Sequence, residues 1–288
     1  MGLHHGGVPL SNVAATHHRK SHRSVHAAKV ADYLRKMRVV SLVPSWTEFL
    51  HDLGVDVVGQ TKFCVRPEAA FRRVSRVGGT KTVDPEKVLA LNPDLVVANR
   101  EENDRAQVEA VREALPAGAE VLVTDVRTVA SALHEMAVLG GVVEREALAQ
   151  EWVSRIHNAW GAPRTEVGRA GYAVWSSPWM VAGRDTFIHD VMRHWGIGNA
   201  FAKSDSAARY PTLAPDPETG AAQADLWLLP SEPFPFTPKH VESLSGSLPE
   251  AKFQLVDGEA FSWYGSRMLH ATDHLSRVSE WVGHAVSL

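Results

Sequence analysis

The sequence is short of cysteine, of long apolar runs and of net charge, and each shortage closes a class of function. One cysteine, Cys64, stands among 288 residues. A single thiol forms no intramolecular disulfide and supplies no cysteine-based zinc spacing. No run of about 18 apolar residues occurs, so no membrane-spanning helix is expected. A formal net charge of −3 argues against a nucleic-acid binder, which needs a basic footprint. The loops that mark common enzymes are missing as well. There is no Gly-x-Ser-x-Gly elbow and no phosphate loop, and Gly78-Gly79 lacks the third glycine of a dinucleotide fingerprint. Beyond residue 36 no histidine pair is read as a metal site, which argues against a receptor for bare zinc or manganese. An export signal is not apparent either, because Pro9, Ser11 and Asn12 interrupt the stretch Val8 to Thr16, where an apolar core would lie. A cytoplasmic location is therefore favoured, with a periplasmic or extracytoplasmic one as the alternative.

What is present is an ordinary globular composition, 44% hydrophobic and 22% charged, with nine tryptophans. Residues 1–36 hold six histidines and six Lys or Arg against one acid, Asp32. They read as a disordered basic tail, although a His-rich tract can also bind metal. Met37 directly precedes the first strand and is an alternative start. From there, short β-rich runs alternate with helical ones: strands at 38–43, 56–59, 95–98 and 120–124, and helices after Pro44, after Asp84 and over 105–115. Ser45 or Thr47 is a candidate cap for the first helix, with Glu48 completing a capping box from Ser45. Alternation of this kind predicts an α/β fold with a mainly parallel sheet. Residues 129–139 and 144–160 then read as helices, the second with Leu148, Trp152, Ile156 and Ala159 on one face. The α/β pattern resumes at Gly171. The expected organisation is an N-terminal lobe over 37–141, a linking helix over 142–162 and a C-terminal lobe over 163–288.

Three segments carry a resemblance: Arg38-Val-Val-Ser-Leu-Val-Pro-Ser-Trp-Thr-Glu48, Val77-Gly-Gly-Thr80 and Val88-Leu-Ala-Leu-Asn-Pro-Asp-Leu-Val-Val97. Together they resemble the class III periplasmic solute-binding proteins, which serve ABC importers of vitamin B12, haem, iron–siderophores or metal ions, and most of all the cobalamin-binding branch. The resemblance implies two Rossmann-like lobes joined by one long rigid helix, little movement on binding and a ligand in the interlobe cleft. That ligand would be a corrinoid, haem or a ferric siderophore, with no cofactor required.

In open α/β sheets ligands sit beyond the carboxyl ends of the strands. The loops there supply Ser45, Trp46, Lys62, Phe63, Cys64, Arg66, Thr80, Lys81, Asn99 and Arg100 from the first lobe. The second lobe supplies Trp179, Glu232, Phe234, Trp263, Tyr264 and Arg267. Matched to the cobalamin binders, Phe63 falls where they carry a cleft tyrosine, and Thr80 and Asn99 fall where they carry cleft tryptophans. Trp46, Trp179, Trp263 and Tyr264 are candidate replacements, while Trp175 reads equally well as cleft or core. Lys62, Arg66, Lys81, Arg100 and Arg267 could hold an anionic ligand, with Glu101, Glu102 and Glu232 opposing them. Cys64 reads either as a ligand to metal or corrin cobalt or as a small buried hydrophobe. The family docks to its permease through one acid per lobe, and these fall at Glu86 and Asp216, with Glu218 close by. The expected function is thus a non-catalytic, monomeric ligand-binding component of an ABC importer that works with a permease. The alternative is a cytoplasmic relative that handles a cofactor as enzyme or chaperone.

Overall fold

The computed structural model describes residues 1–2, 36–202, 208–213 and 224–287. The chain divides into Met1–Met37 and Arg38–Leu288. The expected tail of residues 1–36 lies almost wholly outside the described residues, so the account below concerns the second unit.

In the first lobe, strands β1 (Arg38–Ser41), β2 (Asp56–Gln60), β3 (Ser75–Arg76), β4 (Leu95–Asn99) and β5 (Glu120–Thr124) form a sheet in the order β3-β2-β1-β4-β5. Every pairing is parallel. Helices α1 (Pro44–Asp52), α2 (Glu68–Phe71), α3 (Pro85–Ala90) and α4 (Arg105–Ala114) make the crossovers. β4 is buried along its whole length, which explains its unbroken apolar sequence: a central parallel strand is covered on both faces. Val40, Val96, Val88 and Val111 meet in the core beneath it. Asp84 and Asp104 cap α3 and α4 through the amides of Lys87 and Gln107. α1 differs from its expected start. Pro44 takes its first turn and Val43 the cap position, with no side-chain cap. Proline suits that position, where no backbone N–H is needed as a hydrogen-bond donor. Thr47 instead donates to the Val43 carbonyl at 2.9 Å.

The second lobe centres on β6 (Gly168–Ser176). β9 (Leu226–Pro230) and β10 (Lys252–Val256) extend the sheet in parallel on one side, in the order β10-β9-β6-β7. On the other side, β8 (Ile197–Asn199) runs parallel to the start of β6, and β7 (Trp179–Val181) folds back antiparallel on its end. The helices are α7 (Phe187–His194), α8 (Pro238–Ser247), α9 (Gly258–Ser262) and α10 (Arg267–Ser287).

Between the two sheets lie two helices, α5 (Val129–Val142) and α6 (Glu146–Trp160), over the two segments read as helical at 129–139 and 144–160. Residues 143–145 form the turn between them, with Glu144 at φ 56°. The pair packs tightly at Gly140, where a Cβ would fall 2.2 Å from that of Ala149. Both outer ends are tied to the second lobe. The Val129 amide donates to Asp190 of α7 at 2.8 Å, and Trp160 Nε1 donates to the Met268 carbonyl of α10 at 2.8 Å.

Candidate functional site

In the first sheet the strand order reverses between β1 and β4, and a crevice opens there beyond the carboxyl ends. The second sheet reverses between β6 and β9. The ends of both face one cleft of about 790 Å3, within the range of small-molecule sites.

The first lobe's wall is organised around Asn99, the last residue of β4. Its Nδ2 donates to Thr124 Oγ1 at 3.1 Å, and its Oδ1 accepts from the amides of Glu101 and Glu102 at 2.9 and 3.3 Å. The turn so formed turns two adjacent carboxylates into the cleft. Asn103 pins the same turn by accepting from the Asn99 amide at 2.8 Å and donating to the Leu42 and Thr80 carbonyls. Pro44, Ser45, Phe63, Thr80 and Lys81 complete this side. Facing them are Val174 and Trp175 at the end of β6, Phe187 and Ile188 at the start of α7, and Met180, Tyr210, Glu232, Ser262, Trp263 and Tyr264. Phe63 and Trp175 are 51% and 42% exposed, so both present open aromatic surface to an occupant.

Polar ties from Glu101 and Glu102 cross the cleft, and Glu232 is held within the second lobe. The Tyr210 hydroxyl donates to Glu101, whose other oxygen pairs with Arg209 Nη2 at 2.6 Å. The Tyr264 hydroxyl donates to Glu102 Oε1 at 2.9 Å. Burial pushes the Glu102 carboxyl up to about 7, against the lowering effect of that hydrogen bond. Glu232 accepts from Trp263 Nε1 at 2.5 Å and from Ser262 Oγ at 3.2 Å. Burial raises its carboxyl too, and it raises both tyrosine hydroxyls well above their ordinary range.

The structure brings Ser45, Phe63, Thr80, Lys81, Asn99, Glu232, Trp263 and Tyr264 to the cleft wall. It places the other candidates elsewhere. Trp179 is 1% exposed and packs on Trp227 and Phe236 in the second lobe's core, because β7 folds back on β6 and turns it inward. Trp175, left open between cleft and core, takes the cleft position. Phe234 backs Trp175 at 5.5 Å between ring centroids without joining the wall. Trp46 is buried beneath the floor, donating to Thr124 Oγ1 at 2.9 Å, with its ring 4.7 Å from that of Tyr264.

Cys64 faces the first lobe's interior, where Thr47 and Thr61 hydroxyls lie 3.1 and 3.2 Å from Sγ, and burial raises its thiol. Arg66 pairs with Glu259, Arg267 with Glu48 and Arg100 with Asp125. Lys62 lies over the Phe63 ring, off the wall. Arg66, Arg100 and Arg267 are thus paired with acids away from the cleft, and of the cations expected to hold an anion only Lys81 is on its wall. Val126, Met180, Ile188 and Tyr210 were not foreseen. They come from segments with no motif, and only the fold assembles them. Among the described residues no group of three or more His, Cys, Asp or Glu is placed to hold a metal ion, and no helix is long and apolar enough to cross a membrane.

Comparison with known proteins agrees with this geometry. Residues 39–226 match a family described as Periplasmic binding protein. The vitamin B12-binding protein of Salmonella paratyphi A is 29% identical over 185 residues. That alignment covers 62% of this chain and 66% of the relative, just under two thirds of its length. An uncharacterized ABC transporter substrate-binding lipoprotein of Bacillus subtilis, YvrC, is 35% identical over 115 residues, 38% of this chain and 36% of that one. Among solved structures, the periplasmic heme-binding protein RhuT from Roseiflexus sp. RS-1 in apo form superposes with a TM-score of 0.70 at 18% identity, covering 87% of this chain and 99% of that one. The periplasmic vitamin B12 binding protein BtuF of Vibrio cholerae gives 0.67 at 17%, covering 86% and 98%. At these identities the likeness is one of fold.

Proposed function

Because the chain belongs to the periplasmic binding protein family, we propose that it captures a corrinoid, haem or ferric siderophore in the cleft and delivers it unchanged to an ABC permease. The observation that carries this reading is the cleft itself: about 790 Å3, set at the switch points of two sheets and walled by aromatic side chains from both lobes. Large flat faces with a few polar anchors suit a bulky, partly planar ligand. The relatives' names are those of periplasmic proteins and of a lipoprotein. They support an extracytoplasmic site of action and lend nothing to the cytoplasmic expectation. In the first lobe the docking residue is Glu86, exposed at the start of α3. Asp216 and Glu218, the positions for the second, lie outside the described residues.

The test is titration of the purified full chain with cobinamide, haem and a ferric hydroxamate, followed by tryptophan fluorescence. Trp175 and Trp263 line the cleft, so an absorbing occupant should quench them. Saturable quenching by at least one, with the ligand recovered chemically intact, is expected. Silence toward all three, or chemical change of the bound compound in a single turnover, overturns the reading.

A further inference from the structure

The charges on the cleft wall are lopsided. Three carboxylates, Glu101, Glu102 and Glu232, face one cation, Lys81. Glu101 is already neutralised by Arg209, and Lys81 is exposed and donates to the Glu101 backbone carbonyl. The other two carboxylates accept only from neutral groups: Glu102 from a phenol, Glu232 from an indole and a hydroxyl. Among the described residues no cation pairs with either. They come from opposite lobes, Glu102 from the turn after β4 and Glu232 from the loop after β9, and Glu232 is among the charges that push the Glu102 carboxyl up. Desolvated like charges with no counter-ion are costly to hold together. A positive charge placed between them would offset that cost and attach to both lobes at once. The aromatic wall favours the same sign, since ring faces of tryptophan attract cations. A dianionic head group would meet carboxylates and find no free arginine.

On the reading that this cleft is the ligand site, we propose that its occupant presents a positive charge, received by Glu102 and Glu232 and flanked by Trp175 and Trp263. The cleft thereby discriminates among large metal-organic ligands by charge.

Two matched probe pairs test this on the full chain at pH 8. Aquacyanocobinamide is a cation and dicyanocobinamide is neutral, with the same corrin. Ferrioxamine B carries a free ammonium that its N-acetyl derivative lacks. Haem serves as the anionic probe. In any pair that binds, the cationic member should bind at least about tenfold more tightly. That ratio should collapse toward one in Glu102→Gln and in Glu232→Gln, each checked for folding by its thermal melt. Equal affinities within a pair, an unchanged ratio in both variants, or haem binding more tightly than any cation overturns the charge proposal and leaves the import reading standing. Failure of every probe to bind overturns both.

Discussion

Arg267, the first residue of α10, grips Glu48 of α1 across the two lobes. Its Nε lies 3.0 Å from Glu48 Oε2, and Nη2 bonds to the other carboxylate oxygen. The side chains are 17% and 11% exposed, so this is a nearly buried, two-pronged pair. Glu259 extends it, with one oxygen 3.8 Å from Arg267 Nη1 and 2.8 Å from Arg66 Nε. The network joins the lobes at a point away from the cleft wall and opposes their separation. Burial nevertheless raises the Glu48 carboxyl despite the guanidinium beside it.

Removing one partner should therefore be far worse than removing both. Arg267→Met leaves the Glu48 carboxylate buried and unpaired, at a cost of about 3 kcal/mol. Glu48→Leu combined with Arg267→Met should recover most of that loss. Urea unfolding of the single and double variants measures the difference. Additive losses would show that the pair is solvated in solution.

Glu102 makes stability depend on pH. Its carboxyl moves from 4.5 in the open chain to about 7 in the fold, so between those values the folded chain holds the extra proton. The contribution is fully present below about pH 4.5 and is lost as pH rises through 7. The whole step is worth about 3 kcal/mol. Glu102→Gln mimics the protonated form. It should match the parent protein at pH 4.5 and be the more stable of the two at pH 8. Unfolding curves at the two pH values check this, and a variant less stable at pH 8 would reverse the assignment.

Much of the fold is legible in the sequence for local reasons. The central strands β1 and β4 of the first lobe are covered on both faces and read as continuous apolar runs, and Asp84-Pro85 announces α3 in its own residues. β7 and β8 are three residues long, too short to show a period, and Gly196 and Gly198 read only as a helix stop. The site is less legible because its partners are distant. Glu48 and Arg267 are 219 residues apart, and Arg66 and Glu259 are 193. A local pattern cannot reveal that cations in the right loops are already spent on acids in the other lobe. The same holds for side-chain direction: Trp175 and Trp179 stand four residues apart in one loop-rich segment, and only the pairing of β7 with β6 decides which turns inward.

Those two tryptophans give a clean contrast. Trp179→Ala should cost about 3–5 kcal/mol of stability, as expected for emptying a packed aromatic site. Trp175→Ala should leave stability within about 1 kcal/mol and weaken ligand binding by about tenfold. Thermal melts and titrations on both variants separate the roles. Equal effects of the two on either readout would contradict the assignment.

Cys64 is expected to be chemically silent in the native protein. It is fully buried, and burial raises its thiol, so little thiolate is available to react. A thiol reagent should label the chain at the rate of unfolding and at once in denaturant. Rapid labelling of the folded protein, unaffected by urea below the transition, would place the thiol at the surface instead.

Glu86 tests the proposed link to a transporter. It stands in the first turn of α3, exposed, and no cation pairs with it among the described residues, since Lys87 is taken by Asp84. An acid there has a purely structural explanation, because a helix N-terminus favours negative charge by about 0.5 kcal/mol. The two explanations separate on charge reversal. Glu86→Lys should lower stability only by about that amount and leave ligand affinity as it was. Stimulation of the cognate transporter in proteoliposomes should fall steeply, because a lysine now faces the basic residues that an acid would meet. The loss should also ease at high salt, as screening weakens the repulsion. Full stimulation by the Glu86→Lys protein at low salt would leave only the helix-terminus explanation.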